Sequence, residues 1–257
     1  MKLSMARAIL TLIGSLALIL LAPAHAQDSG LTVDQIVEKH AEALGGADKL
    51  KAVQTVTITG GASLRDGQIG MPVTIRIKRP ASMRMDMHLQ ERTFVEGFDG
   101  STGWMINSFS GSNTPQKLSD EDARAALDNT DFLEGSLVDY KAKGSSVELM
   151  GQERVNGATA YKLKITKKRG EVQYIYLDAT SFLPLKTTGT RRQMGQAVEY
   201  ESEPGSYKSV NGVMIPFSIR QKLSGRDAME LNITQVDLNT PIDDSIFRMP
   251  EKPRDTR

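Results

Sequence analysis

Few residues in this chain have the types and the spacing that catalysis or metal binding requires. The three histidines are His25, His40 and His88, and a histidine can act as a general base or as a metal ligand. His40 falls on the apolar side of a predicted helix, where core packing is the commoner role, and His88 falls on the polar face of a predicted strand. The sequence contains no H-E-x-x-H, G-x-S-x-G, P-loop or glycine-rich dinucleotide motif. Neither His40 nor His88 therefore supports a prediction of catalysis.

Two acidic pairs could hold a metal ion or act together as an acid and a base. Asp120 and Asp122 begin a predicted helix, whereas Asp243 and Asp244 lie in a C-terminal turn. Capping of the helix and of the turn explains both pairs better than metal binding does. We therefore predict no metal site, no cofactor and no enzymatic activity, with a hydrolase that has a dispersed site as the less favoured alternative.

The cysteine count and the charge exclude further classes of protein. The chain has no cysteine, so it has no disulfide, no thiolate chemistry and no lipid anchor on an N-terminal cysteine. Lys2 and Arg7 are the only charged residues among the first 26, which leaves 30 Lys and Arg beside 31 Asp and Glu in the rest of the chain. Nucleic-acid-binding proteins normally carry a basic surplus, so we predict no nucleic-acid partner.

Residues 1–26 have the pattern of a secretory signal peptide. A basic start is followed by an apolar run from Ala8 to Leu21 and by the small-x-small ending of residues 24–26, which predicts cleavage after Ala26. The apolar run is shorter than the roughly 20 residues that a membrane span needs. An uncleaved N-terminal anchor is the alternative.

Hydrophobic periodicity predicts one helix and then a series of antiparallel strands. Thr32 and Gln35 form a capping-box pattern at the start of the helix. Strict alternation of apolar and polar residues follows in "PVTIRIK", "MRMDMHL", "YKLKIT" and "IPFSIRQ", as in strands with one buried face. Turn pairs lie between such runs, at Asp66-Gly67, Asp99-Gly100, Asn156-Gly157 and Asn211-Gly212.

A helical insertion of about 20 residues interrupts the strands. Ser119 can cap a helix with an acidic first turn. The apolar side of this insertion, which we predict to be a lid, consists of Leu127, Phe132, Leu133 and Leu137. We predict a signal peptide at 1–26, one domain at 27–250 and a disordered polar tail at 251–257.

The predicted fold class is mainly β with a helical lid. A single antiparallel sheet of this length must curl or close, and partial curling would form an apolar cup beneath the helices. The methionines on this face can adapt to ligands of variable shape, or they can fill a dry core under the lid. The residues predicted to line the cup are Val73, Ile75, Ile77, Met83, Met85, Met87, Phe94, Phe98, Trp104, Ile106, Tyr161, Leu163 and Ile165.

The stretch "EGFDGSTGWMIN" contains the only tryptophan and reads as a hairpin. Strand alternation places Trp104 and Ile106 on one face and Met105 and Asn107 on the other. We predict that Trp104 is a wall residue inside the curl, close to the insertion that follows it.

Several motifs, in a fairly specific order, resemble the LolA/LolB-like superfamily of periplasmic lipoprotein-sorting proteins. They are the capped first helix, "FDGSTGW" followed by a helical insertion, "YLDATSFLPLK", "NGVMIP" and the terminal "DDSIFRMP". The resemblance extends over nearly all of the chain after the signal peptide. It implies an unclosed half-barrel of about eleven antiparallel strands, covered by an N-terminal helix and a mid-chain insertion, that holds acyl chains and needs no cofactor.

The resemblance predicts a soluble, monomeric periplasmic carrier for a lipid or for the acyl chains of lipoproteins, with transfer towards the outer membrane. Membrane-bound donor and acceptor proteins would be its partners. The alternative is a periplasmic sensor whose bound lipid or lipoprotein regulates a membrane partner protein.

Overall fold

A computed structural model of the chain describes residues 30–64, 69–193 and 196–251. The predicted signal peptide, the predicted Asp66-Gly67 turn and residues 252–257 of the predicted tail lie outside these ranges. Among the described residues, no helix combines the length and the apolar character that crossing a membrane demands.

The elements follow the order predicted from the sequence. The helices are α1 (Val33–Ala43), α2 (Ala47–Ala52) and α3 (Asp120–Asn129), with 3₁₀ turns at Ser108–Ser110 and Asp244–Phe247. The strands are β1 (Thr55–Leu64), β2 (Ile69–Lys78), β3 (Ser82–Leu89), β4 (Arg92–Asp99), β5 (Gly103–Asn107), β6 (Ser112–Lys117), β7 (Ser146–Val155), β8 (Ala158–Thr166), β9 (Val172–Asp178), β10 (Pro184–Gln193), β11 (Gln196–Gly205), β12 (Lys208–Val210), β13 (Val213–Ile215), β14 (Ser218–Leu223) and β15 (Arg226–Leu238).

Thirteen strands, counted over the described residues, form one antiparallel sheet in the order β6-β5-β4-β3-β2-β1-β15-β14-β11-β10-β9-β8-β7. Strands β12 and β13 form a separate pair. The predicted single unclosed antiparallel sheet is confirmed, with thirteen strands instead of about eleven. Strand β15 pairs with both β1 and β14, so the last strand joins the N-terminal and C-terminal halves of the sheet.

The predicted lid follows from this topology. Strands β6 and β7 are the two edges of the sheet, and the chain runs directly from one to the other. Residues 118–145, here called the lid, must therefore cross the open side. Helix α3, in the first half of the lid, contacts β3, β4 and β5 on one wall and β10 on the other. The second half of the lid continues as hydrogen-bonded turns, not as the helix that the sequence suggested.

Helix α1 begins at the predicted cap. The Thr32 hydroxyl accepts a hydrogen bond from Gln35 N at 3.3 Å, and Gln35 Oε1 accepts one from Thr32 N at 2.8 Å. These two bonds satisfy amide groups that the first turn leaves without a helical partner. The helix then buries Ile36, Val37 and His40 against the sheet.

The inner face of the sheet carries two apolar cores. The larger core lies under the lid and joins residues of β1, β2, β3 and β15 to Ala126 and Val138 of the lid. The second core lies under α1 and includes Leu163, Ile165 and Leu177 with Leu137 of the lid. The lid therefore packs against both halves of the sheet.

Candidate functional site

The strand register identifies the inner face of the first half of the sheet. Ile75 of β2 pairs with Met85 of β3, which pairs with Glu96 of β4, which pairs with Met105 of β5. The lid covers this face, because a Cβ at Gly103 would stand only 2.9 Å from Cβ of Ala123.

Most of the residues predicted to line the cup lie on this inner face and are packed beneath a helix or the lid. Val73, Ile77, Met83 and Phe98 are buried, and Val73 is only 2% exposed. The half-buried members are Ile75, Met85, Met87 and Phe94. Tyr161, Leu163 and Ile165 belong to the core under α1. In this closed arrangement all of them except Phe94 belong to the apolar cores, as the dry-core alternative describes, so their contact with a ligand stays a prediction.

The prediction that Trp104 and Ile106 line the cup is wrong. Trp104 pairs with Gly97, and Ile106 pairs with Val95, which places both on the face opposite to Met105. Trp104 is nevertheless fully buried, and its Nε1 donates a hydrogen bond of 2.7 Å to the carbonyl oxygen of Phe247. The C-terminal 3₁₀ turn covers this outer face and supplies the burial, which strand alternation alone does not reveal.

An open cavity of about 360 Å³ lies between the lid and the wall formed by β9, β10, β11 and β14. This size falls at the lower end of the range for small-molecule sites, about 300–1,000 Å³. The predicted lid residues Phe132, Leu133 and Leu137 line it, whereas none of the thirteen predicted cup residues does. Apolar and polar side chains share the lining, including Leu44, Ile175, Ile219, Thr187, Ser202, Gln221 and Tyr207.

The wall of this cavity has no alternating apolar pattern. The inward residues of β10 are Thr187, Gly189 and Arg191, which pair with Ser202, Tyr200 and Val198 of β11. Gly189 leaves room for the Tyr200 ring, which a Cβ at this position would approach to 2.9 Å. The small inward residues Thr187, Gly189 and Ser202 leave space under the lid. Because they are small or polar, an alternation of apolar and polar residues does not identify these strands as a buried wall.

Two polar groups of the cavity, His40 and Tyr207, are hydrogen-bonded and neutral. His40 is 3% exposed, its Nδ1 lies 2.9 Å from the carbonyl oxygen of Phe182, and burial lowers the pKa of its imidazole. The Tyr207 hydroxyl donates to the Pro184 carbonyl oxygen at 3.0 Å, and burial raises its pKa. Both groups are therefore neutral at pH 7, and they share the cavity with the charged residues Glu134, Lys167, Arg191, Glu201 and Lys222. His88, in contrast, is exposed on β3.

Charged groups lie at the rim of the inner face. Burial raises the pKa of Glu96, the nearby Asp122 raises it further, and Arg191 opposes the shift. Asp122 also serves the predicted cap, since Ser119 Oγ donates to its carboxylate at 2.7 Å and accepts from its backbone N–H at 3.1 Å. Asp243 caps the C-terminal turn through Ser245 N at 2.7 Å.

Metal binding finds no support in the part of the chain that the structure describes. No group of three or more His, Cys, Asp or Glu side chains is arranged there to hold an ion.

An ion-pair network holds the lid against α2. The Arg79 guanidinium donates to the carbonyl oxygens of Val53 at 2.7 Å and Leu50 at 3.1 Å, and to Glu134 Oε1 at 2.7 Å. The Glu134 side chain is only 8% exposed. Lys143 lies 3.8 Å from Glu134 and donates to the Gly135 carbonyl oxygen at 2.7 Å. The buried Glu134 carboxylate therefore ties the lid, through Arg79, to α2 and to the C-terminal end of that helix.

A further ion pair stiffens the same part of the lid. Asp131 accepts a hydrogen bond from Lys143. Burial raises the pKa of the Asp131 carboxyl, and Lys143 opposes that shift. Two lid carboxylates and two cations therefore form one connected cluster next to α2.

Solved structures with a similar fold cover most of the chain. A domain named for outer-membrane lipoprotein sorting, from Vibrio parahaemolyticus, aligns with a TM-score of 0.55 and 12% identity over 84% of this chain and 97% of its own. A DUF1329 family protein from Desulfovibrio piger aligns with a TM-score of 0.56 and 12% identity over 84% and 97%. A LolA superfamily protein from Nitrosomonas europaea aligns with a TM-score of 0.54 and 15% identity over 85% and 98%.

These alignments show that the chain has the LolA-like fold, as the sequence motifs predicted. No protein-family model matches the sequence, and no curated protein matches it. At identities of 12–15%, the likeness concerns the fold and not the function.

Proposed function

We propose that this protein binds the acyl chain of a lipid or lipoprotein between the lid and the inner face of the sheet, and carries it through the periplasm towards the outer membrane. The observation that carries the proposal is the cavity beneath the lid, which adjoins two apolar cores. The name of the Vibrio domain points in the same direction. Export rests on the sequence of residues 1–26, and membrane-bound donor and acceptor proteins would be the protein's partners.

The physical reason for a lidded cup is the cost of exposing an acyl chain to water. Each methylene group removed from water contributes about 0.8 kcal/mol, so a free chain strongly avoids the aqueous phase. A chain that leaves a membrane for an apolar cup exchanges one apolar environment for another, and the exchange is nearly balanced. Movement of the lid can then determine when the chain enters and leaves.

The cavity beneath the lid can enlarge when the lid moves. Leu127, Phe132 and Leu133 pack against the larger core together with Met85 and Met87. Withdrawal of the lid would expose these methionines, which are flexible enough to adapt to chains of different length and branching. The predicted cup residues would then become part of the binding surface.

Filling the cavity should block binding. Thr187 lines the cavity, whereas Thr188 pairs with Tyr174 and Glu201 on the opposite face of the same strand. We expect Thr187→Phe to weaken binding of a fluorescent fatty acid by about tenfold or more, a loss of about 1.4 kcal/mol, because the ring occupies space that the acyl chain needs.

Thr188→Phe is the matched control, since it adds the same ring outside the cup. The assay is fluorescence titration of each folded variant, supported by mass spectrometry of lipids that co-purify with the wild-type protein. Equal loss in both variants, or unaltered binding in Thr187→Phe, would contradict the proposed site.

A further inference from the structure

A second cavity, of about 480 Å³, adjoins the first at the lid. Both cavities are lined by Glu134, Gly135, Ser136 and Lys167. The same stretch of the lid therefore borders a partly apolar cavity and a cavity with a different lining. An amphiphile of modest length could place its chain in one cavity and its head group in the other.

The lining of the second cavity is strongly basic. It contains six cationic side chains, namely Arg79, Arg124, Lys143, Lys167, Lys168 and Arg169, and three carboxylates, namely Asp131, Glu134 and Glu171. Asp131 and Glu134 are matched by Lys143 and Arg79. The remaining lining therefore has a surplus of positive charge, although the chain as a whole is close to neutral.

Three of the cations are available to a ligand. Arg124, on α3, and the exposed Lys168 and Arg169, in the β8–β9 turn, make no ion pair with any described residue. The stem of Lys168 lies against the Gly144 backbone, where a Cβ would stand 3.2 Å from Cδ of the lysine. The turn is closed by a hydrogen bond of 2.8 Å from Gly170 N to the Lys167 carbonyl oxygen.

We propose that this basic cavity binds the phosphate group of a lipid whose acyl chain occupies the cavity beneath the lid. A phosphate monoester carries about −1.5 to −2 charge at pH 7 and three strong acceptor oxygens, which suits several unpaired cations at one place. Arginine can in addition bind phosphate through two parallel hydrogen bonds. The inference rests on the proposed function, because the adjoining cavity is what makes the ligand a lipid and not a free anion.

The test compares two ligands that differ only in the phosphate. Monopalmitoylglycerol and palmitoyl lysophosphatidic acid share the chain and the glycerol, and both are titrated below their micelle concentrations by displacement of a fluorescent fatty acid from the full chain. We expect the phosphate to tighten binding about tenfold at low salt, and the advantage to shrink as salt screens the exposed charges.

Charge reversal should remove this advantage alone. Lys168→Glu with Arg169→Glu is expected to reduce binding of the lysophosphatidic acid about tenfold or more and to leave that of monopalmitoylglycerol unchanged. The control is Arg154→Glu with Arg226→Glu, which reverses two exposed charges that line neither cavity. Arg124→Gln, a single change on α3, gives a second probe should the double variant fail to fold.

The possible outcomes separate this inference from the proposed function. If neither ligand displaces the fatty acid, the proposed function fails as well. Equal affinities for the two ligands, or an advantage that survives charge reversal, would overturn the phosphate site and leave the proposed acyl cavity intact. If glycerol 3-phosphate binds as tightly as the lysophosphatidic acid, the basic cavity binds a free phosphate compound. That result would contradict the inference that its ligand is a lipid.

Discussion

Trp104→Ala should lower the free energy of unfolding by about 3–5 kcal/mol, the typical cost of truncating a fully buried aromatic residue. The indole fills the space above Gly97, where a Cβ would come 2.3 Å from the ring, and its Nε1 bonds to the Phe247 carbonyl oxygen at 2.7 Å. Urea denaturation followed by circular dichroism measures the loss. Trp104→Phe should cost less, because it keeps most of the apolar bulk and loses the hydrogen bond.

Neither substitution should alter acyl binding in protein that is still folded, because Trp104 lies on the outer face. Since it is the only tryptophan, the emission of the wild-type protein reports on this one site. We expect a blue-shifted maximum that saturating fatty acid leaves unchanged. A ligand-induced shift of the emission, or weaker binding in folded Trp104→Phe, would mean that Trp104 on the outer face is coupled to ligand binding in the cup.

Arg79→Met should release the lid. It removes the hydrogen bonds from the guanidinium to the carbonyl oxygens of Leu50 and Val53 and to Glu134. Lys143, at 3.8 Å, is then the remaining cation beside the buried Glu134 carboxylate. Removing one partner of a buried ion pair typically costs 3–5 kcal/mol. Because Arg79 is partly exposed and Lys143 remains, we expect about 2–3 kcal/mol against the closed lid. This corresponds to roughly 30- to 150-fold faster release of a fluorescent fatty acid in stopped-flow measurements.

Two controls isolate the effect of the buried charge. Arg79→Met with Glu134→Leu removes both charges and should recover much of the slow release, because an apolar pair can replace a buried ion pair. Lys51→Met breaks an exposed pair between α2 and Asp139, of 2.8 Å, and should change release less than fivefold, since exposed pairs contribute at most about 1 kcal/mol. Unchanged release in Arg79→Met would show that apolar packing alone holds the lid.

The elements of the fold were predictable because local chemistry determines them. Alternation in "MRMDMHL" and "YKLKIT" requires strands with one buried face, and both segments lie within β3 and β8. Asn156 and Asn211, each followed by glycine, adopt positive φ angles of 49° and 52°, as tight hairpin turns require. The position of β15 between β1 and β14 depends on contacts between distant residues and has no local signal.

The site was harder to predict, because alternation separates two faces without saying which is inward. Met105 and Trp104 are neighbours in sequence, and the C-terminal turn decides that Trp104 is buried outside the cup. The wall of the cavity was missed because Thr187, Gly189 and Ser202 are small or polar. Arg79 and Glu134 are 55 residues apart, so their pairing also depends on the tertiary fold.

Locking the lid tests most directly whether an acyl chain enters beneath it. Ser136 Oγ, on the lid, donates to Gln173 Oε1, on β9, at 3.0 Å, and the chain has no cysteine of its own. Ser136→Cys with Gln173→Cys can therefore be joined by a short thiol-reactive crosslinker that a reducing agent cleaves, with each single-cysteine variant as a control. We predict that the crosslinked protein takes up a fluorescent fatty acid at least tenfold more slowly, and that cleavage restores the wild-type rate. Uptake at the same rate in the crosslinked and cleaved forms would place the ligand elsewhere and contradict the lidded cup.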